Sequence, residues 1–359
     1  MIFLLFNFWS TSLLFVLDHL RLKKVSQWVL LVLVFFIVMM LPAMQYGVGY
    51  DYFNYVEVFV NSDRLDVYAR KNEYGFYYLV LLLRELGLPP QSFFIVASAL
   101  MSASLVYCLQ LLRGHGFKMA IIFVCFFLMT GMLHNQMNGI RNYIAAYFFL
   151  SALLSKFSGR YWFSVFFVLM GVFFHQTFYV ALVFVLLPCF IYEYLAKRVF
   201  LFYFILLVFW VSGMSVSILE FLLKNYLSFY SHYSGSLNVG SSVVNVLTKA
   251  YYLPLQVWFV FWVINNFKKL SLFEVRVVGV WVLSSSLYLS LLHTDLFYRA
   301  YHYFVFFSVF PAYYFLRSSY STIFKVSFLM YLVAPYLLKV MVFPEGEYQY
   351  SSIVFGGLF

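Results

Sequence analysis

Three stretches of this chain carry side chains whose types and spacing suit work on a charged or hydroxylated ligand. In Tyr46-Gly47-Val48-Gly49-Tyr50-Asp51-Tyr52-Phe53-Asn54-Tyr55, a carboxylate stands among four tyrosines and two glycines allow tight backbone geometry. Sugar C–H faces stack on aromatic rings while Asp51 and Asn54 take hydroxyls, so Tyr50, Tyr52 and Asn54 are candidate carbohydrate contacts. The competing reading is an interfacial aromatic belt with an incidental acid. In the second stretch Arg141 and His175 stand at the outer ends of two consecutive apolar runs, with His134 and Asn138 in the link ahead of Arg141. A guanidinium there clamps phosphate oxygens in bidentate fashion, and an imidazole moves protons near neutral pH. The bland alternatives are a snorkelling arginine and a satisfied structural histidine. The third stretch is His293-Thr294-Asp295-Leu296-Phe297-Tyr298-Arg299-Ala300-Tyr301-His302. If helical, it puts Asp295, Arg299 and His302 on one face, either as a local ion pair or as a second phosphate clamp. His232 reads as a surface residue. His19 and His115 receive no role. There is no Walker motif, nucleotide-binding glycine fingerprint, HExxH or Cys/His metal pattern, so no cofactor and no metal are expected.

The elements that must position these residues follow from composition. Of 359 residues, 65% are hydrophobic, 24% aromatic and only 10% charged, with 32 tyrosines. A soluble domain carries about a quarter charged residues, so this chain cannot cover a core with polar surface. The expected fold is all-α, a polytopic transmembrane helical bundle with about twelve spans. Those spans are read at about 2–17, 26–44, 92–111, 118–133, 142–155, 161–174, 176–195, 199–218, 249–267, 273–292, 299–316 and 325–343, with Met1–Leu17 retained as the first. Cys108, Cys125 and Cys189 lie inside apolar runs and read as core residues.

The formal charge of +10 is carried by basic residues in short links, which makes it a topology signal and no argument for nucleic acid. Arg21, Lys23 and Lys24, Arg113 and Lys118, Lys156 and Arg160, Lys197 and Arg198, Lys268 and Lys269, then Arg317 and Lys325 fill every odd link. Odd links are therefore cytoplasmic and both termini lie outside. The outer side holds the long loops, about 45–91 and 220–248, and every histidine except His19 and His115. Tyr74–Leu88 is apolar but short and contains Arg84 and Glu85, so it is expected as an interfacial or re-entrant helix. The runs flanking Arg141 and His175 are also short, which would recess both residues below the membrane surface, where an ionisable group is a functional candidate. With no internal repeat or linker, residues 1–359 are treated as a single domain.

The chain resembles the Wzy-type O-antigen and EpsG-like exopolysaccharide polymerases of bacteria over most of its length. The resemblance is carried, in order, by Gly49-Tyr50-Asp51-Tyr52, Arg141-Asn142-Tyr143-Ile144-Ala145, Phe173-Phe174-His175, and Arg299 with Tyr303-Phe304. It implies a glycosyltransferase at the outer face of the cytoplasmic membrane that moves a growing glycan from undecaprenyl pyrophosphate onto the non-reducing end of a lipid-linked repeat unit. It further implies that Arg141 and Arg299 bind pyrophosphate and that His175 or Asp51 deprotonates the acceptor hydroxyl. Tyr50, Tyr52, Asn54, His134, Asn138, Asp295 and His302 then contact substrate. The implied partners are the lipid-linked oligosaccharide, membrane lipids and a chain-length regulator protein. A flippase would instead predict repeats and polar residues through the midplane. An O-antigen ligase or a sugar acyltransferase would share the same outer-face chemistry.

Overall fold

The structure is a computed structural model that describes residues 2–212, 214, 217, 221, 250–290, 298–342, 344 and 346–354. The described residues are helical, with no strand among them beyond an isolated bridge between Gln45 and Ser352. In chain order the helices are α1 (Ile2–His19), α2 (Lys24–Ala43), α3 (Tyr52–Val60), α4 (Ser62–Arg70), α5 (Tyr74–Glu85), α6 (Gln91–Gly114), α7 (Met119–Thr130), α8 (Met132–Asn135) and α9 (Ile140–Phe157). They continue as α10 (Tyr161–Phe174), α11 (Phe178–Leu186), α12 (Cys189–Lys197), α13 (Val199–Val211), α14 (Leu253–Asn266), α15 (Leu272–Ser290), α16 (Tyr298–Phe304), α17 (Phe310–Arg317) and α18 (Thr322–Leu337). Among the described residues, five segments are long and apolar enough to cross a membrane, Ile2–His19, Lys24–Ala43, Gln91–Gly114, Leu272–Leu289 and Thr322–Val342. Three apolar helices among them are shorter, Met119–Thr130, Tyr161–Phe174 and Val199–Phe209. The chain is a helical, multi-pass membrane protein.

It divides into two compact units, Met1–Val185 with Ser319–Phe359, and Leu186–Ser318. In the first, contacts between helix ends sort the links. Arg113 donates to the Leu17 carbonyl at 2.7 Å and to Gln27 Oε1 at 3.2 Å. Lys118 reaches the Asp18 carbonyl at 3.0 Å, and His115 meets Ser158 at 2.9 Å. The first, third and fifth links, all basic, thus meet at one end. At the other end, Gln91 donates to the Ala43 carbonyl, Tyr350 to the Leu41 carbonyl, and the Asp51 N–H to Asn138. α6, with 24 residues, rises about 36 Å from one end to the other.

The second unit is centred on α15. Gly279 lets the Tyr192 backbone of α12 approach so closely that a Cβ would lie 2.1 Å from the Tyr192 carbonyl oxygen. Arg276 donates to Glu193 at 2.9 Å, and Trp281 stacks on Tyr203, whose hydroxyl donates to Gln256.

Several sequence expectations are refined. The run read as one span over 176–195 is broken into α11 and α12, bent by 82°. Pro188 has no N–H to donate and disfavours helix in the residue before it, so α11 stops at Leu186. Lys156 Nζ then donates to the Val185 carbonyl at 2.6 Å, in the last turn of α11. Residues 299–316 are likewise α16, a 3-10 turn over Val305–Val309, and α17. The loop over 45–91 is three helices rather than one, because Tyr52, Tyr55, Val58 and Phe59 of α3 bury one face of their own. α5, with 12 residues, rises only about 18 Å, well short of the roughly 30 Å of hydrocarbon. It does not span. The loop over 220–248 lies outside the described residues except for Phe221.

Candidate functional site

The polar end of the first unit contains a carboxylate that sequence reading left among the loop charges. Asn72 adopts a left-handed conformation, φ 60°, which turns the chain between α4 and α5 and directs Glu73 inward. Glu73 is 1% exposed and precedes α5 directly, its carbonyl accepting from the Tyr77 N–H. Gly75 brings this start of α5 onto the end of α10: a Cβ there would lie 3.0 Å from the Phe173 carbonyl carbon and oxygen. Glu73 therefore arrives beside His175, the residue that caps α10 in an extended conformation.

Arg141 comes from the first turn of α9. Its guanidinium donates to Glu73 Oε2 and lies over the Tyr68 ring at 4.4 Å and the Phe76 ring at 5.4 Å. The other oxygen, Glu73 Oε1, is 3.8 Å from His175 Nδ1. Thr177 closes the far side: its N–H donates to His175 Nδ1 at 3.1 Å, and its hydroxyl lies 2.9 Å from the same nitrogen and 3.3 Å from Asn142 Oδ1. Burial pushes the Tyr55 phenol above its ordinary pKa; the nearby Arg141 guanidinium pulls it back and the Asp51 carboxylate adds to the rise. The side chain of Arg141 is 19% exposed, and its Nε is a buried donor with no hydrogen-bond partner among the described residues. Glu73, Tyr68 and Thr177 were not candidates from sequence; Tyr55 lay in the tyrosine-rich stretch and Asn142 in the motif that carries the resemblance, neither with a role of its own. The one signal for Glu73 was its place immediately before an apolar run.

Asp51 is held near this cluster by the backbone. Its N–H donates to Asn138 Oδ1 at 2.9 Å, and Gly49, at φ +71°, lets Asn138 lie where a Cβ would be 2.8 Å from that oxygen. Asn138 thus ties the tyrosine loop to the start of α9. Tyr50 is 86% exposed and Asn54 is exposed, whereas Tyr52 turns inward and stacks on Phe94 at 4.7 Å. His134 has a different setting, stacked on Phe3 at 4.1 Å and Tyr348 at 4.5 Å with the Tyr336 hydroxyl 3.0 Å from Nε2. Burial pushes its pKa down to about 3, so the ring is neutral.

In the second unit, Asp295 lies outside the described residues. Arg299 stands in α16, its side chain not described, and His302 on the same helix is buried. No group of His, Cys, Asp and Glu residues with metal-site geometry occurs among the described residues.

Helical spans and a carboxylate–arginine–histidine cluster built on the buried Glu73 define a multi-pass membrane protein with charged side chains gathered at the ends of the first unit's helices. The EpsG family profile matches residues 28–352, and the chain belongs to the EpsG family. This is a bacterial family of glycosyltransferase-like polysaccharide polymerases. No curated protein and no solved structure matches the chain.

Proposed function

We propose that this protein is a polysaccharide polymerase that transfers a growing glycan from undecaprenyl pyrophosphate to the non-reducing end of a lipid-linked repeat unit. The observation that carries the reading is Arg141, fixed by the buried Glu73 beside His175 at the end of a short helical hairpin. The acceptor hydroxyl oxygen attacks the anomeric carbon of the donor glycan. The bond from that carbon to the pyrophosphate oxygen breaks, and the electron pair leaves with undecaprenyl pyrophosphate. Arg141 stabilises the charge that develops there; Arg299 is kept as a further pyrophosphate-binding candidate. The hydroxyl proton passes to Asp51 or His175. Because the donor carries its own activation, no nucleotide is consumed.

The exposed Tyr50 and Asn54 suit sugar contacts, with Tyr52, His134, Asn138, Asp295 and His302 kept as further candidates. α10, 14 residues long, rises about 21 Å against roughly 30 Å of hydrocarbon, which supports a recessed site where fixed charges act strongly. The basic links mark the other end as cytoplasmic, so the cluster faces the periplasm or exterior of a bacterial cytoplasmic membrane. A chain-length regulator protein is a further partner on this reading. Collection of the described charges at helix ends favours an enzyme over a flippase.

The test uses purified protein and a lipid-pyrophosphate-linked oligosaccharide, with products resolved by length, for wild type and Arg141→Ala. A nucleotide-independent ladder that Arg141→Ala abolishes supports the reading. Intact native repeat unit after incubation with folded wild-type protein ends it.

A further inference from the structure

We infer that Thr177 fixes the tautomer of His175, so that the ring serves the transfer as a hydrogen-bond donor through Nε2 and not as the base; this rests on the polymerase reading above. A backbone N–H can only donate, and that of Thr177 points at His175 Nδ1 at 3.1 Å. Nδ1 is therefore an acceptor, and the single proton of a neutral imidazole lies on Nε2. For Nε2 to accept a proton from a sugar hydroxyl, the proton would have to move to Nδ1 and face the Thr177 N–H, donor against donor. The Thr177 hydroxyl does not decide between tautomers: its one proton goes either to Asn142 Oδ1, leaving Oγ1 as an acceptor 2.9 Å from Nδ1, or to Nδ1 itself.

The opposing influence is Glu73, whose carboxylate would favour a proton on Nδ1. At 3.8 Å its Oε1 is beyond hydrogen-bond range, and its charge is already matched by Arg141 from α9. The aligned N–H at 3.1 Å decides the tautomer. The turn that supplies it is locked from behind. The Phe178 N–H donates to the His175 carbonyl at 3.0 Å, and the Phe178 ring fills the space over Gly171, where a Cβ would be 2.1 Å away. In this arrangement His175 Nε2 keeps its proton throughout and donates to a pyrophosphate oxygen as charge builds on it. The acceptor hydroxyl proton goes to the Asp51 carboxylate and from there to water. Thr177 is a positioning residue, and Asp51 is left as the base.

The experiment compares His175→Gln, His175→Asn and His175→Ala with wild type in the elongation assay, across pH, after each variant is checked for monodisperse elution. Glutamine places an amide N–H where Nε2 stood but cannot titrate; asparagine reaches only the place of Nδ1. His175→Gln is expected to keep elongation within about tenfold of wild type with the same pH profile, while Asn and Ala lose about 100-fold or more, the scale of one catalytic contact. If folded His175→Gln is as inactive as His175→Ala, the ring works by titrating and the inference is overturned while the polymerase reading stands. If wild type makes no ladder from its native unit, the polymerase reading falls, and this role with it. Independently, 15N resonances of histidine-labelled protein, assigned by difference with His175→Ala, should show Nδ1 bare and Nε2 protonated. The reverse pattern would overturn the tautomer outright.

Discussion

Glu73 and Arg141 meet where neither charge has enough water to stand alone. Removing one partner of a buried pair strands the other, at a cost of roughly 3–5 kcal/mol. Glu73→Ala should therefore lower the thermal unfolding midpoint in detergent more than Glu73→Gln, which keeps an acceptor for the guanidinium. Equal midpoints for both variants and wild type would mean that the pair carries no stability. Arg141→Lys is expected to elongate far less than wild type although it keeps the charge, because a point-like ammonium cannot hold Glu73 and a phosphate oxygen with the geometry of a planar fork; full elongation by the lysine variant would remove the clamp. His134 makes a prediction about pH. Its pKa falls from 6.5 to about 3 on folding, so between those values the unfolded chain binds more protons. Stability from this group is complete above about 6.5 and declines as pH drops towards 3, by a total of about 5 kcal/mol. His134→Phe should flatten the acid side of the stability profile; an unchanged slope would assign it to other groups. Arg141 and His175 were legible because each stands at the edge of an apolar run. Glu73 was not, because its burial comes from the Asn72 turn, and nothing local separates it from the exposed Glu57.

At the scale of elements, the site exists because α5 docks against the end of α10. Gly75 permits that approach; Gly75→Leu would drive a side chain into the Phe173 carbonyl and push α5 outward, carrying Glu73 with it. The expected result is loss of elongation with α1, α2 and α6 intact, read as unchanged helical circular dichroism beside an empty product ladder. Wild-type elongation by Gly75→Leu would mean that the docking of α5 is not needed for the site. The apolar runs that became α1, α2 and α6 could be read directly, since their lengths meet the thickness of a bilayer. The internal helices of the 45–91 loop were hidden because their apolar positions are spaced for one buried face among many charges. Pro188 was visible in the sequence, but hydropathy averages over it. A residue that removes one backbone donor leaves the apolar sum unchanged while ending the helix.

Over the whole molecule, alternation of basic and polar links was the strongest long-range reading, and in the first unit its logic is physical. Arg113, Lys118 and Lys156 each end on a backbone carbonyl, so the basic links satisfy helix termini as well as marking a side. The polar links end on one another through Asp51, Asn138, Glu73 and His175. The charge bias proposes which end faces the cytoplasm, and labelling tests it. Cys108 and Cys125 are buried, so replacing Cys189 with serine gives a quiet background. In that background Tyr50→Cys should react with a membrane-impermeant maleimide on intact cells, because Tyr50 is exposed at the end that holds Arg141. Leu20→Cys, exposed at the basic end, should react only after the membrane is opened. The reverse pattern would turn the Arg141 cluster towards the cytoplasm and remove the outward-facing polymerase. Labelling of both from outside would break the two-ended arrangement itself, and with it the argument that one face collects the chemistry.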